Sequence, residues 1–181
     1  LHEVPAAQLI TTRGDIPLGS GYSGTESIYY ARLVAAIQSD GHEERPGVYR
    51  FHMHKERKFE RLAWLCELAG VRYKRSLNKA TVWLQEPLEK VAGPWMLAWD
   101  RSSLCRYLDE YKYWDGHEGA TKSVSLYSVN KSHLEWIQTL GRLVGYGGNF
   151  QKVYPNGSGS CVHRLQQNNR IWASGSSLSI R

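Results

Sequence analysis

From Ile28 to Ile37 the chain is almost continuously apolar, a run that predicts a helix capped by Thr25 or Ser27 and stopped at Asp40-Gly41. The pattern then changes to period two from Gly47 to His54. Tyr49, Phe51 and Met53 fall on one side and Arg50, His52 and His54 on the other, which predicts a strand. From Glu56 to Leu68 the spacing returns to a helical period through Phe59, Leu62, Ala63, Leu65, Cys66 and Leu68, with Gly70 as the stop. Two further strands are predicted at Val71–Leu77 and Thr81–Gln85. The same order then recurs. A helix from about Ser103 ends at Asp115-Gly116, a strand spans Ser123–Val129, and a helix runs from Lys131 to Val144. Strands follow near Asn149–Tyr154 and Cys161–Gln166.

The recurrence is a true register. Asp40-Gly41-His42-Glu43 and Asp115-Gly116-His117-Glu118 are identical and lie 75 positions apart. At that offset, without a gap, Leu33 maps onto Leu108, Glu60 onto Glu135, Leu65 onto Leu140, Leu68 onto Leu143 and Gly70 onto Gly145. In the last strand the offset reads as 80, Val82 against Val162, with five extra residues in the turn 155–160. The expectation is an α+β tandem repeat with a pseudo-twofold axis: an N-terminal arm (1–27), a first repeat (28–97), a second (98–175) and a C-terminal tail (176–181). Each half reads helix, strand, helix, strand, strand, with room for a short strand after each Asp-Gly.

Composition narrows the function. The length of 181 residues suits one core or two joined half-domains. A formal net charge of +6 favours a polyanionic partner without requiring one. Cys66, Cys105 and Cys161 are isolated and lack CxxC spacing, which argues against a disulfide framework or zinc site. No apolar run approaches a membrane span, and no signal peptide is visible, so a soluble cytoplasmic protein is expected.

Residues 33–41, Leu33-Val34-Ala35-Ala36-Ile37-Gln38-Ser39-Asp40-Gly41, resemble the LAGLIDADG motif of homing endonucleases, with identity at the first, fifth, eighth and ninth positions. Residues 108–116 keep the first, eighth and ninth positions. Pro94-Trp95, Tyr107-Leu108 and Trp114-Asp115-Gly116 resemble the second motif of intein endonuclease domains. Glu110 and Trp114 stand where that family has small residues, and Ala35, Ala36 and Ser39 of the first helix offer room for them. The resemblance implies two saddle-shaped antiparallel sheets on double-stranded DNA, with the two motif helices packed at the centre. It implies Asp40 and Asp115 as catalytic acids that hold Mg²⁺. A lone Asp-Gly is most often just a helix-ending turn; two in register favour the carboxylate reading. The resemblance also points to Lys90 as a lysine near the attacking water. Arg170 is the nearest basic counterpart in the second repeat. Gln85 and Gln166, at matching strand ends, are candidates to orient a pocket water.

The polar strand faces supply the candidate DNA contacts: Arg50, His52, His54, Arg72 and Lys74 in the first half, and Ser125, Tyr127, Asn149, Gln151, His163 and Gln166 in the second. Arg and Lys suit guanine edges, and Asn and Gln suit adenine; each could equally be a solvated strand residue. His42 and His117 read as polar turn residues. The expected activity is a double-strand break at a long asymmetric site by a monomer with an internal pseudo-dimer. Residues 4–9 resemble the stretch that joins intein splicing and endonuclease domains, although Leu1 and Arg181 lack the residues self-splicing needs. The alternatives are a DNA- or RNA-binding relative (a regulator or intron maturase) without cleavage, and a duplicated α+β protein with no nucleic-acid role.

Overall fold

The computed structural model describes residues 26–118, 124–155 and 161–168. The N-terminal arm expected at 1–27 falls almost wholly outside them, and Arg170 lies outside as well. Helix α1 (Glu26–Asp40) is followed by β1 (Gly41–Arg45), β2 (Val48–His52), α2 (Glu56–Leu68), β3 (Arg72–Ser76) and β4 (Lys79–Trp83). After a short 3-10 helix (Pro94–Ala98) the order repeats as α3 (Arg101–Asp115), β5 (Gly116–Glu118), β6 (Val124–Ser128), α4 (Lys131–Val144), β7 (Gly147–Pro155) and β8 (Cys161–Asn168). The fold is α+β, with two four-stranded antiparallel sheets of the same order, β1-β2-β4-β3 and β5-β6-β8-β7.

Local chemistry sets the helix ends. The Asp100 carboxylate accepts from Ser103 N at 2.8 Å and caps α3, and Asn130 accepts from His133 N at 3.2 Å and caps α4. Gly145 ends α4 in the left-handed region at φ 94°. The glycine of each Asp-Gly pair has a different reason. Gly116 is extended, at φ −89° and ψ 146°, so it is not selected for a left-handed turn. A Cβ there would lie 2.1 Å from the Lys112 carbonyl oxygen, and one at Gly41 would lie 2.7 Å from that of Ile37. Each strand leaves its helix by folding back onto the last turn, and only glycine fits the approach.

One buried core joins the halves. Ala31, Leu33, Val34, Ala35, Ala36 and Ile37 of α1 are 1% exposed or less, as are Leu104, Tyr107, Leu108 and Tyr111 of α3. The α1–α3 packing is the most extensive helix contact among the described residues. Its polar rungs are Arg32 Nε donating to Glu110 at 2.9 Å and Tyr107 Oη donating to Gln38 at 2.6 Å. Tyr49, Phe51, Ala80 and Val82 cover this core from the first sheet, and Leu126 and Leu165 from the second. No helix among the described residues is long and apolar enough to cross a membrane.

The strand ladders correct the sequence register. Arg50 pairs with Thr81 and Ser125 with Gln166, while Phe51 pairs with Ala80 and Leu126 with Leu165. The first members of these pairs differ by 75 and the second by 85. The last strand is therefore offset by 85, not 80, and the second β-hairpin is ten residues longer than the first. The predicted strand at Thr81–Gln85 is correspondingly observed at Lys79–Trp83.

Candidate active site and nucleic-acid face

Asp40 and Asp115 are the last residues of α1 and α3, so the packed helices deliver both carboxylates to one end of the seam. Asp115 senses the charge of Asp40. Burial raises the Asp115 carboxyl to about 6, and the charge of Asp40 adds to the rise; Lys58, a hydrogen bond with Tyr111, and Lys90 oppose it. Lys58, from the first turn of α2, donates to Asp40 Oδ2 at 2.5 Å and to the Trp114 carbonyl at 3.3 Å, and lies 5.3 Å from the Trp114 ring centroid. It bridges the ends of both motif helices.

The segment between the halves is pinned at successive residues. Tyr49 Oη donates to the Leu88 carbonyl at 3.1 Å and accepts from Leu88 N at 2.6 Å. Gln38 Nε2 donates to the Glu89 carbonyl at 2.8 Å, and Ala92 N donates to His133 Nδ1 at 2.7 Å. These pins insert Lys90 beneath the end of α1, where Nζ donates to the Ile37 carbonyl at 2.5 Å and to that of Gly41. Orphan carbonyls at a helix C-terminus favour such a cation. Burial lowers the Lys90 ammonium pKa, opposed by the charges of Asp115, Asp40 and Glu43.

Among the described residues no group of three or more His, Cys, Asp and Glu could hold a metal ion. A pair of carboxylates still fits Mg²⁺, which keeps several waters and takes its remaining oxygens from phosphates. The donor chemistry is therefore that of a shared hard-cation site rather than an all-protein cage.

Ladder positions of one phase line up in matched rows across each sheet. In the first, His42, Arg50, Thr81 and Lys74 stand in register across all four strands. His52, Lys79 and Ser76 form the next row, and Val48, Trp83 and Arg72 a third. Arg72 stacks on Trp83 at 4.7 Å, and Arg50 pairs with Glu44 at 2.7 Å. The second sheet aligns His117, Ser125, Gln166 and Asn149, then Tyr127, Arg164 and Gln151. The repeat thus exchanges Arg50 for Ser125, Lys74 for Asn149 and Thr81 for Gln166.

Three expectations change. His163 pairs with Ser128, one step out of phase with the Ser125 and Tyr127 positions, and Arg164 takes the in-phase position. Ser125 is only 3% exposed, so its side chain is not offered on the surface of the second sheet, whereas His54, past the end of β2, is exposed like His52 with buried Met53 between them. Gln85 is exposed beyond β4, and the register partner of Gln166 is Thr81; the two glutamines are not equivalent strand ends. The sequence reading missed Lys58, Lys79, Trp83 and Arg164. Alternation along a correctly registered last strand would have found Lys79 and Arg164. Nothing local marks Lys58.

No family model matches the sequence, and no curated protein matches it. Solved structures do. I-DmoI in complex with DNA and Ca superposes with a TM-score of 0.54 at 11% identity, over 80% of this chain and 85% of that one. The chain has the fold of the homing endonuclease I-DmoI. An I-DmoI variant with its target DNA and Mg gives 0.53 at 13% identity over 79% and 90%, and I-DmoI with DNA and Mn gives 0.51 at 10% over 80% and 91%. The likeness extends over about four-fifths of this chain, 80% in the I-DmoI complex with DNA and Ca.

Proposed function

We propose that this protein is a divalent-metal-dependent, site-specific DNA endonuclease that makes a double-strand break at a long asymmetric site. The observation that carries the reading is the convergence of Asp40 and Asp115 at one end of a helix seam flanked by two outward-facing sheets. The likeness in fold to a homing endonuclease solved with target DNA supports it.

In this reading Asp40 and Asp115 hold the cation, with Mg²⁺ the preferred ion. Bound there, it would polarise the phosphodiester and make water a better nucleophile. Lys58 balances the Asp40 charge and ties the two helix ends together. Lys90, a half-buried ammonium with a lowered pKa, is the candidate to exchange a proton with the attacking water. Gln166 shares a ladder row with Asn149 and serves base recognition; Gln85 has no role at the reacting centre. Arg50, His52, Arg72, Lys74, Lys79 and Trp83 face one half-site. Tyr127, Asn149, Gln151 and Arg164 serve the other, so the target is not a palindrome. The protein acts as a monomer, since the seam already supplies two halves. The resemblance of residues 4–9 to an intein connecting stretch supports an intein origin.

Selection of cleaved sites from a genomic or randomised DNA library with Mg²⁺ tests the proposal. One long asymmetric site should emerge, cut on both strands and uncut with EDTA. Binding without cleavage under every divalent ion would overturn it.

A further inference from the structure

The two halves hold their carboxylates by different means. Lys58 and His133 lie 75 positions apart, in the first turns of α2 and α4, and are the same position of the repeat. Lys58 reaches Asp40 directly. His133 instead meets Tyr111 Oη with Nε2 at 3.0 Å, and Tyr111 stands one helical turn before Asp115 on the same face of α3, where its phenol opposes the rise in the Asp115 carboxyl. The repeat partner of Tyr111 is Ala36. Where the first half combines a small residue with a long cation, the second combines a large phenol with a short ring.

The hydrogen bonds fix the direction of this chain. His133 Nδ1 accepts from Ala92 N–H at 2.7 Å, so the neutral ring carries its proton on Nε2 and donates to the Tyr111 oxygen. Burial, then Lys90, lowers the His133 pKa to about 4, consistent with a neutral ring. The phenol hydrogen is left for an acceptor. Ser39 lies against the same phenol, but its own hydroxyl donates to Ala35 O at 2.8 Å. The carboxylate is the stronger acceptor because the bond to it is charge-assisted. His133 and Tyr111 are 3% and 1% exposed, so water does not compete for these bonds.

We propose that Tyr111 and His133 are positioning residues for Asp115: the linker amide fixes the imidazole, the imidazole orients the phenol, and the phenol holds the carboxylate for its cation. This rests on the reading of Asp115 as a metal ligand. Groups that orient a ligand typically change metal affinity by about 10–100-fold when removed. The two carboxylates are therefore not interchangeable, despite their place in a duplicated motif.

Mn²⁺ binding to the whole protein, followed by the electron paramagnetic resonance of the free ion, tests the relay without relying on cleavage. Tyr111→Phe removes one oxygen and should weaken one Mn²⁺ site about 10–100-fold while the thermal melt stays cooperative. His133→Phe should do the same. His133→Gln, whose amide can still donate to the phenol, should stay within about threefold of wild type on that scale. Wild-type affinity in Tyr111→Phe, or no rescue by His133→Gln in a folded protein, would overturn the relay, as would Mn²⁺ binding indifferent to Asp115→Asn. Cleavage of a selected site is measured in parallel. The expected Mn²⁺ shifts in a protein that cuts no DNA would sustain the relay and defeat the endonuclease reading. Normal cleavage with unshifted affinities would do the reverse.

Discussion

Arg61 of α2 grips Glu110 of α3 at two points, with Nε 2.9 Å from Oε1 and Nη2 2.7 Å from Oε2. Arg32 of α1 adds a bond of 2.9 Å, and Trp114 Nε1 donates at 3.1 Å. Glu110 is 1% exposed, so a fully buried carboxylate ties three helices and both halves together. Bulk at this seam position is thereby used as a clamp. The same two arginines flank Trp64, 4.6 and 4.8 Å from its ring.

Glu110→Gln keeps the volume and leaves two guanidiniums without a counter-charge. Removing one partner of a buried ion pair costs about 3–5 kcal/mol. With the Arg61 side chain 31% exposed, solvent screening brings the expected loss to roughly 2–4 kcal/mol. Urea unfolding measures it, and a loss below about 0.5 kcal/mol would contradict the clamp.

The Asp115 carboxyl is raised from 3.8 to about 6, chiefly by burial and then by Asp40, against Lys58, Tyr111 and Lys90. A folded-state value above the unfolded one means that ionisation costs stability. The cost is absent below the unfolded value and complete above the folded one, reaching about 3 kcal/mol as an upper figure. Asp115→Asn should therefore raise the melting temperature of the metal-free protein at about pH 8 and leave it nearly unchanged at about pH 4. An equal shift at both values would contradict the assignment.

Ala36 is fully buried on α1, the helix packed along α3. Ala36→Leu should overpack the seam at a cost of about 1–3 kcal/mol. Because displacement of a reacting group by about 1 Å can slow a reaction a hundredfold, cleavage should fall further than stability does. Calorimetry beside a cleavage assay separates the two effects.

Replacing Arg50 or Arg72 by Ala should relax preference at one or two base pairs of one half-site, costing about 1–3 kcal/mol. Asn149→Ala or Gln151→Ala should act on the other half-site. Cleavage profiles across all single-base variants of the target reveal which bases respond; a uniform loss would mark a phosphate contact instead.

Local pattern was enough for the helices, because their apolar spacing and Asp-Gly ends repeat at one offset through Leu33/Leu108 and Leu65/Leu140. The strand pairing needed more. Any insertion in the β7–β8 hairpin preserves alternation, so only the ladder separates an offset of 80 from 85 and exchanges His163 for Arg164. The pins on Lys90 and the bridge from Lys58 were illegible for another reason. Each joins residues 18 to 56 positions apart through space, as Lys58 does with Asp40 and Trp114. Tyr111 was visible only as bulk; its hydroxyl acquires meaning beside His133.

In the proposed function Asp40 and Asp115 together hold the metal that cuts DNA. The direct measurement is Mg²⁺-dependent cleavage of the selected site by wild type, Asp40→Asn and Asp115→Asn, with DNA affinity measured alongside. Each substitution should abolish or severely reduce double-strand cleavage while affinity stays within about tenfold, roughly 1.4 kcal/mol, because neither carboxylate reads a base. Cleavage by either variant at the wild-type rate would show that the two carboxylates do not hold the catalytic metal.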